Sequence, residues 1–317
     1  MELTVWGCRG SLPTPGLNTV VYGGHTTCFE VRNDRGESLI LDAGTGIKEL
    51  GHTLLTGPPV DSHLLISHTH WDHIMGYPFF APLFIRGNRM RVLGPPHFNH
   101  SFEEVMHRQM EFSYFPVRMQ ELQADLTFTD LHEGRYEFGG FRVTTRPMNH
   151  PVFCLGFRIE SDGQTIVYGG DHEPYYENVY LGRRPANDRE RIEKSNLESF
   201  VDEQNVAVIE FMRDADLLVM DGTYTADEYH QKVGWGHGSM QSCIETALTA
   251  NAQRLIITHH EPTRTDEQLE ELASGLRREI HERGEQLEID FAREGTTVMP
   301  SDTAATKRQA ITSASRN

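Results

Sequence analysis

The chain has 317 residues, with 29 Lys plus Arg against 46 Asp plus Glu, a formal net charge of −17. Apolar residues at 38% and 28 glycines fit a folded globular protein, not a disordered one. The acidic balance argues against a large nucleic-acid footprint, because phosphate binding runs on Lys and Arg; a small anionic substrate held by a local site stays possible. No stretch approaches the roughly 18 apolar residues of a membrane span. The opening Met1-Glu2-Leu3-Thr4-Val5-Trp6 has neither a basic nor an apolar leader region, so no secretory signal is expected. Cys8, Cys28, Cys154 and Cys243 form no C-x-x-C pair and are expected to be reduced and mostly buried, in a cytoplasmic protein.

Apolar runs ended by Gly or charged turns predict strands over 3–8, 28–32 and 38–42. A short helix is expected over 46–55, stopped by Gly57-Pro58-Pro59. Residues 64–67 read as a buried strand leading into His68, and 90–93 as another. The 101–112 segment reads as a helix, with Ser101 as N-cap and Glu104 closing a capping box. Strands follow over 126–129, 135–138, 141–146, 154–160 and 165–168, with turn signals at Gly139-Gly140 and Asp162-Gly163. The 177–203 segment holds five basic and seven acidic residues with few strong apolar positions, and reads as a solvated surface loop or a dimer contact. Then come a strand over 215–220, a helix over 240–251, a strand over 254–258, an amphipathic helix over 266–283 and a strand over 287–292. Strands followed by helices, given twice, predict an α/β fold: two packed sheets with helices outside, a four-layer αββα sandwich. One domain over about 1–300 is expected, with excursions at about 78–125 and 172–204 that could cover a site, and a disordered tail at 301–317.

The strongest chemical signal is Ser67-His68-Thr69-His70-Trp71-Asp72-His73, four metal-capable side chains within six residues, just after a buried strand. Imidazole and carboxylate together suit zinc, manganese or iron. His68 and His70, two apart in an extended turn, can point the same way. Asp72 and His73 follow where the chain enters a helix and can face a second ion. A lone histidine is usually a satisfied structural residue; this spacing after an apolar strand is much more specific.

The motif resembles the signature of metallo-β-lactamase-fold hydrolases, and Leu39-Ile40-Leu41-Asp42-Ala43-Gly44-Thr45 is similar to that superfamily's strand-and-Asp-Gly element. The resemblance implies a dinuclear metal site at one edge of the sandwich. His150, Asp171 and His259, each at the end of an expected strand, are similar to the third histidine, the bridging aspartate and the final histidine. By family order His68, His70 and His150 would hold one ion, Asp72, His73 and His259 the other, and Asp171 would bridge them. Two divalent ions, zinc or else manganese, are implied. His172 and His260 stand next to two of these positions and are expected not to be ligands, and Asp42 is expected to support ligands without being one.

Residues 215–224 and Gly234-Trp235-Gly236-His237-Gly238-Ser239 resemble the superfamily's phosphodiesterase branch, which includes ribonuclease Z, PhnP-type phosphodiesterases and cyclic-nucleotide phosphodiesterases. There a His-Ser-Thr motif precedes a helix and pairs with an earlier acid; His237 matches the histidine and Asp221 the acid. Gly238-Ser239 replaces Ser-Thr, and Met220 stands where ribonuclease Z commonly has a histidine, which favours a relative over ribonuclease Z itself. His237, Asp221 and Asp72 are the catalytic residues this implies. Asp221 would orient His237 and keep it protonated, so that it can neutralise or protonate the departing oxygen.

The resemblance implies a phosphodiesterase in which a metal-bridging hydroxide attacks phosphorus. The expected substrate is a small anionic phosphodiester such as a 3′,5′-cyclic nucleotide, because no basic RNA-gripping arm is visible. The alternatives are a ribonuclease Z-like RNA 3′-endonuclease, a metal-dependent ester or lactam hydrolase, and a non-catalytic metal-dependent binding protein. A homodimer is compatible with the family resemblance; no residue pattern requires it.

Overall fold

The structure, a computed structural model, describes residues 1–176 and 188–300, with the backbone alone for 188–193. The expected tail and the start of the charged 177–203 segment lie outside the described residues. The first sheet contains β1 (Glu2–Gly7), β2 (Cys28–Arg32), β3 (Ser38–Leu41), β4 (Asp61–Leu65), β5 (Arg89–Gly94) and β6 (Asp125–Asp130). The second contains β7 (Gly134–Phe138), β8 (Phe141–Met148), β9 (Cys154–Ser161), β10 (Gln164–Tyr168), β11 (Leu217–Asp221), β12 (Arg254–Thr258) and β13 (Glu288–Phe291). The last strand, β14 (Thr297–Val298), returns to the first sheet and pairs with Leu3 and Thr4 of β1. Its two residues carry too little pattern to be read from sequence.

Both sheets have seven strands, in the orders β14-β1-β2-β3-β4-β5-β6 and β13-β12-β11-β10-β9-β8-β7. Each opens with an antiparallel run and continues with four parallel strands, β3 to β6 in one and β10 to β13 in the other. The central parallel strands β3, β11 and β12 are apolar on both faces, as strands covered on both sides must be, while the edge strands β6 and β13 alternate with polar residues. Leu39 and Leu41 enter the layer between the sheets while Ile40 packs outward. Leu217 and Val219 likewise face the other sheet, and Leu218 and Met220 face the helices. Each fully buried side chain of this kind stabilises by about 1.5–3 kcal/mol relative to exposure.

The helices are α1 (Ile47–Leu54), α2 (Trp71–Ile74), α3 (Phe102–Gln109), α4 (Asp188–Met212), α5 (Ala226–Tyr229), α6 (Met240–Thr249) and α7 (Asp266–Glu282). α1 and α3 cover the outside of the first sheet through Ile47, Leu50, Phe102 and Met106. α4, α6 and α7 cover the second through Phe211, Met212, Cys243, Ile244, Leu269 and Ala273. The result is the expected αββα order. The capping box of α3 forms, with Glu104 N donating to Ser101 Oγ at 3.2 Å and Ser101 N to Glu104 at 2.9 Å. All four cysteines are buried and unpaired. No helix among the described residues is long and apolar enough to cross a membrane.

From residue 188 the charged segment is helix α4, not the expected loop. Its early turns are rich in Glu, Arg and Lys, good helix formers that show no apolar stripe. Among its described side chains, those buried are Val208, Phe211 and Met212 in the last turns. Most of the 78–125 excursion packs on the first sheet, where Phe80 and Phe102 are buried; Phe98, Phe112 and Tyr114 remain exposed.

Candidate metal centre

Ligands in open α/β folds gather at the carboxyl ends of the strands. Here His68 follows β4, His150 follows β8, Asp171 follows β10, Asp221 ends β11 and His259 follows β12. The 67–73 segment leaves the sheet when Ser67 N donates to Asp42 Oδ1 at 2.6 Å. His70 is the extended N-cap residue of α2, which places Asp72 and His73 in that helix as the sequence suggested.

Three groups of donor atoms converge, each within 4.8 Å: His68, His70 and His150; Asp72, His73, Asp171 and His259; and Asp171, Asp221, His237 and His259. His70 Nδ1 lies 3.0 Å from His150 Nε2. Asp171 Oδ2 is 3.6 Å from His68 Nε2, 3.9 Å from His150 Nε2 and 3.3 Å from His259 Nε2. Asp171 Oδ1 is 3.2 Å from His73 Nε2, and Asp72 Oδ2 is 3.1 Å from His259 Nε2. Four nitrogen or oxygen donors about 2.1 Å from one ion sit roughly 3.4 Å apart, so this spacing suits shared cations. Asp171 faces both the three-histidine group and the acid-rich group.

The outward nitrogen of each imidazole decides which inward nitrogen is free. His73 Nδ1 donates to Asp42 Oδ2 at 2.8 Å, and His150 Nδ1 to the Gly236 carbonyl at 2.8 Å. His68 Nδ1 donates to Ser67 Oγ at 3.1 Å, since that hydroxyl itself donates to Asp42 Oδ2. His259 Nδ1 meets Thr223 Oγ1 at 2.9 Å, and Thr223 Oγ1 donates to Asp221 Oδ1 at 2.7 Å. Each of the four rings therefore turns Nε2 inward, in the tautomer a metal ligand needs. His68 Nε2 and His73 Nε2 are buried and have no hydrogen-bond partner. Two such orphaned atoms would be costly without a ligand, so the residues present fit the implied ions.

The charges sort the same way. Burial pushes His68, His70 and His150 down, His70 to about 4, so all three are neutral lone-pair donors at pH 7. Burial also acts on His73 and His259, but Asp171 and its acidic neighbours outweigh it and both are raised. Burial would lift Asp171 and Asp72, yet the facing histidines hold both well below the usual carboxylate range.

His237 stands beside this cluster. Its Nδ1 donates to Asp221 Oδ2 at 2.8 Å, and its ring stacks on His259 with centroids 4.6 Å apart. Burial opposes its charge, but Asp221 overrides that and lifts it to about 9. Asp221 thus holds His237 directly and His259 through Thr223.

The structure separates the neighbouring histidines. His260 Nε2 donates to the Ala292 carbonyl at 2.8 Å, with the ring stacked on Phe291. His172 Nδ1 accepts from Asn149 N at 3.1 Å, and burial lowers this ring to about 4. Asp42 takes the supporting place expected of it, accepting also from Tyr168 Oη at 2.6 Å. Both Asp42 and His259 have left-handed backbone, φ 60° each, which is rare for residues with a Cβ and common at functional sites. Gly10 makes room for His259: a Cβ there would lie 2.2 Å from its Nδ1.

Residues 38–185 match a family model described as a β-lactamase superfamily domain. Ribonuclease BN of Proteus mirabilis (strain HI4320) is 23% identical over 299 residues, covering 86% of this chain and 94% of that protein. The chain is a metallo-β-lactamase superfamily protein. Within the superfamily it is related to proteins named ribonuclease BN and ribonuclease Z. Two solved structures share the fold. The metallo-β-lactamase fold protein YhfI from Bacillus subtilis aligns with a TM-score of 0.63 at 19% identity, covering 94% of this chain and 99% of that one. Unliganded yeast PDE1 aligns with a TM-score of 0.60 at 18% identity, covering 93% and 98%. The superfamily fold and the buried donor set together make the chain a metal-dependent hydrolase.

Sequence reasoning passed over Thr223 and Glu173. Thr223 had one signal, its place two residues after Asp221. Glu173 had none, since its partners lie about sixty residues away.

Proposed function

We propose that the protein is a dinuclear-metal phosphodiesterase acting on a small phosphodiester, with a 3′,5′-cyclic nucleotide as the leading candidate. His68, His70 and His150 would hold one ion, Asp72, His73 and His259 the second, and Asp171 both; zinc suits this donor set, and manganese is the alternative. When bound, the ions supply the Lewis acidity that activates water and polarises the phosphoryl group. The chain's own residues do the rest. Asp72 is fixed by Ser11 N, which donates to its Oδ2 at 2.7 Å. His237 keeps one N–H on Asp221 and retains the other for the departing oxygen, which leaves as an alkoxide unless a proton reaches it.

The observation that carries this reading is the hydrogen-bonded His237–Asp221 pair stacked against His259. A carboxylic ester or lactam hydrolase would leave that pair without an evident task. The curated relatives named ribonuclease favour a second reading, cleavage of RNA. The net charge of −17 speaks for the smaller substrate. Metal-loaded protein should hydrolyse bis-p-nitrophenyl phosphate and a cyclic nucleotide. Cleavage of precursor tRNA with no turnover of cyclic nucleotides would select the second reading. Inactivity on every phosphodiester tested would remove both.

A further inference from the structure

Asp171, His172 and Glu173 are consecutive, and each reaches a different part of the site. Asp171 faces the inward nitrogens of the ligand histidines, and His172 N lies 3.4 Å from Asp221 Oδ2. The side chain of Glu173, which is 2% exposed, turns to the glycine loop that carries His237. It accepts from Gly234 N and Gly236 N, both at 2.8 Å, and from Tyr229 Oη at 2.8 Å. Its own N–H donates to the Asn149 carbonyl at 2.9 Å, beside His150. The loop is caught from the other side as well, since the Gly236 carbonyl accepts from His150 Nδ1. Gly236 has φ 87°, and a Cβ there would lie 2.3 Å from Pro151 Cδ and 2.6 Å from His150 Nδ1.

A buried carboxylate is costly unless strong donors surround it. Here two of the three donors are amides on either side of Trp235, in the loop that ends at His237. Without the carboxylate those two amides lose their acceptor, and the His150 bond to the Gly236 carbonyl and the Trp235 N bond to the Lys232 carbonyl remain. A histidine that must meet a departing oxygen cannot tolerate such slack, because about 1 Å of misplacement can cost a hundredfold in rate.

We propose that Glu173 is a positioning residue for His237, its carboxylate clamping residues 234–236 so that the His237 ring keeps its bond to Asp221 and its stacking on His259. The inference rests on the reading of His237 as proton donor, and its test separates the two. Glu173→Ala and Glu173→Gln are compared with His237→Ala in zinc-loaded protein of verified metal content. The first readout is the NMR resonance of the His237 Nδ1–H proton, which needs no turnover. The second is the ratio of kcat for cyclic AMP, whose leaving group is an alkoxide, to kcat for bis-p-nitrophenyl phosphate, whose phenolate needs little protonation.

Glu173→Ala should broaden or abolish the resonance while zinc content stays within twofold of wild type. It should lower cyclic AMP turnover roughly 10- to 100-fold and the p-nitrophenyl reaction less than about threefold. Glu173→Gln should fall between, because its amide keeps one acceptor oxygen. If Glu173→Ala does not fold, Glu173→Gln and Tyr229→Phe, which removes only the donor outside the loop, carry the test with smaller effects of the same sign. An unchanged resonance, or an equal loss on both substrates, would overturn the proposal. If His237→Ala shows no leaving-group dependence but Glu173→Ala still loses the resonance, the proton-donor reading falls and the positioning role stands.

Discussion

Two groups of residues build this site, and they reach it in opposite ways. His68, His70, Asp72 and His73 come from one stretch, where a strand ends, the chain stays extended for a few residues and a short helix begins. His150, Asp171, Asp221, His237 and His259 come one at a time from separate strand ends and loops of the second sheet, spread over 110 positions of the chain. The first group is organised by local geometry, with Asp42 holding Ser67 and His73 from below. The second depends on the order of β8 to β12 in the sheet, which sets the strand ends side by side. Local spacing can therefore make half a site, and only packing can complete it.

The comparison predicts that loss of a ligand from either group is equally damaging. His68→Ala and Asp171→Ala should both lose bound metal, and activity should fall beyond the ~100-fold upper end of supporting-residue effects. Metal analysis beside turnover measures this; normal metal content in Asp171→Ala would show that the two groups do not share ions. Next in size is His237→Ala, which should lower alkoxide-leaving turnover about 10²- to 10⁴-fold with metal content unchanged. Loss of metal in that variant would place His237 among the ligands and erase its distinction from His259.

Asp42→Asn tests the support of the first group. It replaces a carboxylate that accepts from Ser67, His73 and Tyr168, and metal affinity should drop about 10- to 100-fold. A calorimetric titration giving the wild-type affinity would show that the 67–73 segment holds its shape unaided.

The smallest effect lies outside both groups, at Glu294. Burial raises this carboxyl from 4.5 to about 7, against the pull of His25 N and Arg9. The folded state holds the proton more tightly than the unfolded chain. Stability contributed by this group is therefore full below pH 4.5 and falls as pH rises toward 7. Glu294→Gln should stabilise the protein by on the order of 2 kcal/mol at pH 8 and by little at pH 4, read as the change in melting temperature. The same gap at both pH values would contradict an electrostatic origin.

Much of this was legible in the sequence. The central parallel strands β3, β11 and β12 announced themselves as apolar runs, because a strand covered on both faces has no polar alternation to hide it. Ser101 and Glu104 marked the start of α3 through a reciprocal cap that needs only four residues. The His68–His73 spacing pointed to metal for the same local reason. Helix α4 was not legible, since its early turns are charged all round and carry no apolar stripe. Short-range pattern was enough for the donor types, the layer order and the segment that opens the site. The choice of His259 over His260 rested on resemblance until packing turned His259 toward Asp171, and packing also joins His259 to Asp221 through Thr223 and sets Glu173 against the loop before His237. Those choices depend on which strand ends become neighbours and on the backbone turning to φ 60° at His259, and neither is written in the spacing of residues along the chain.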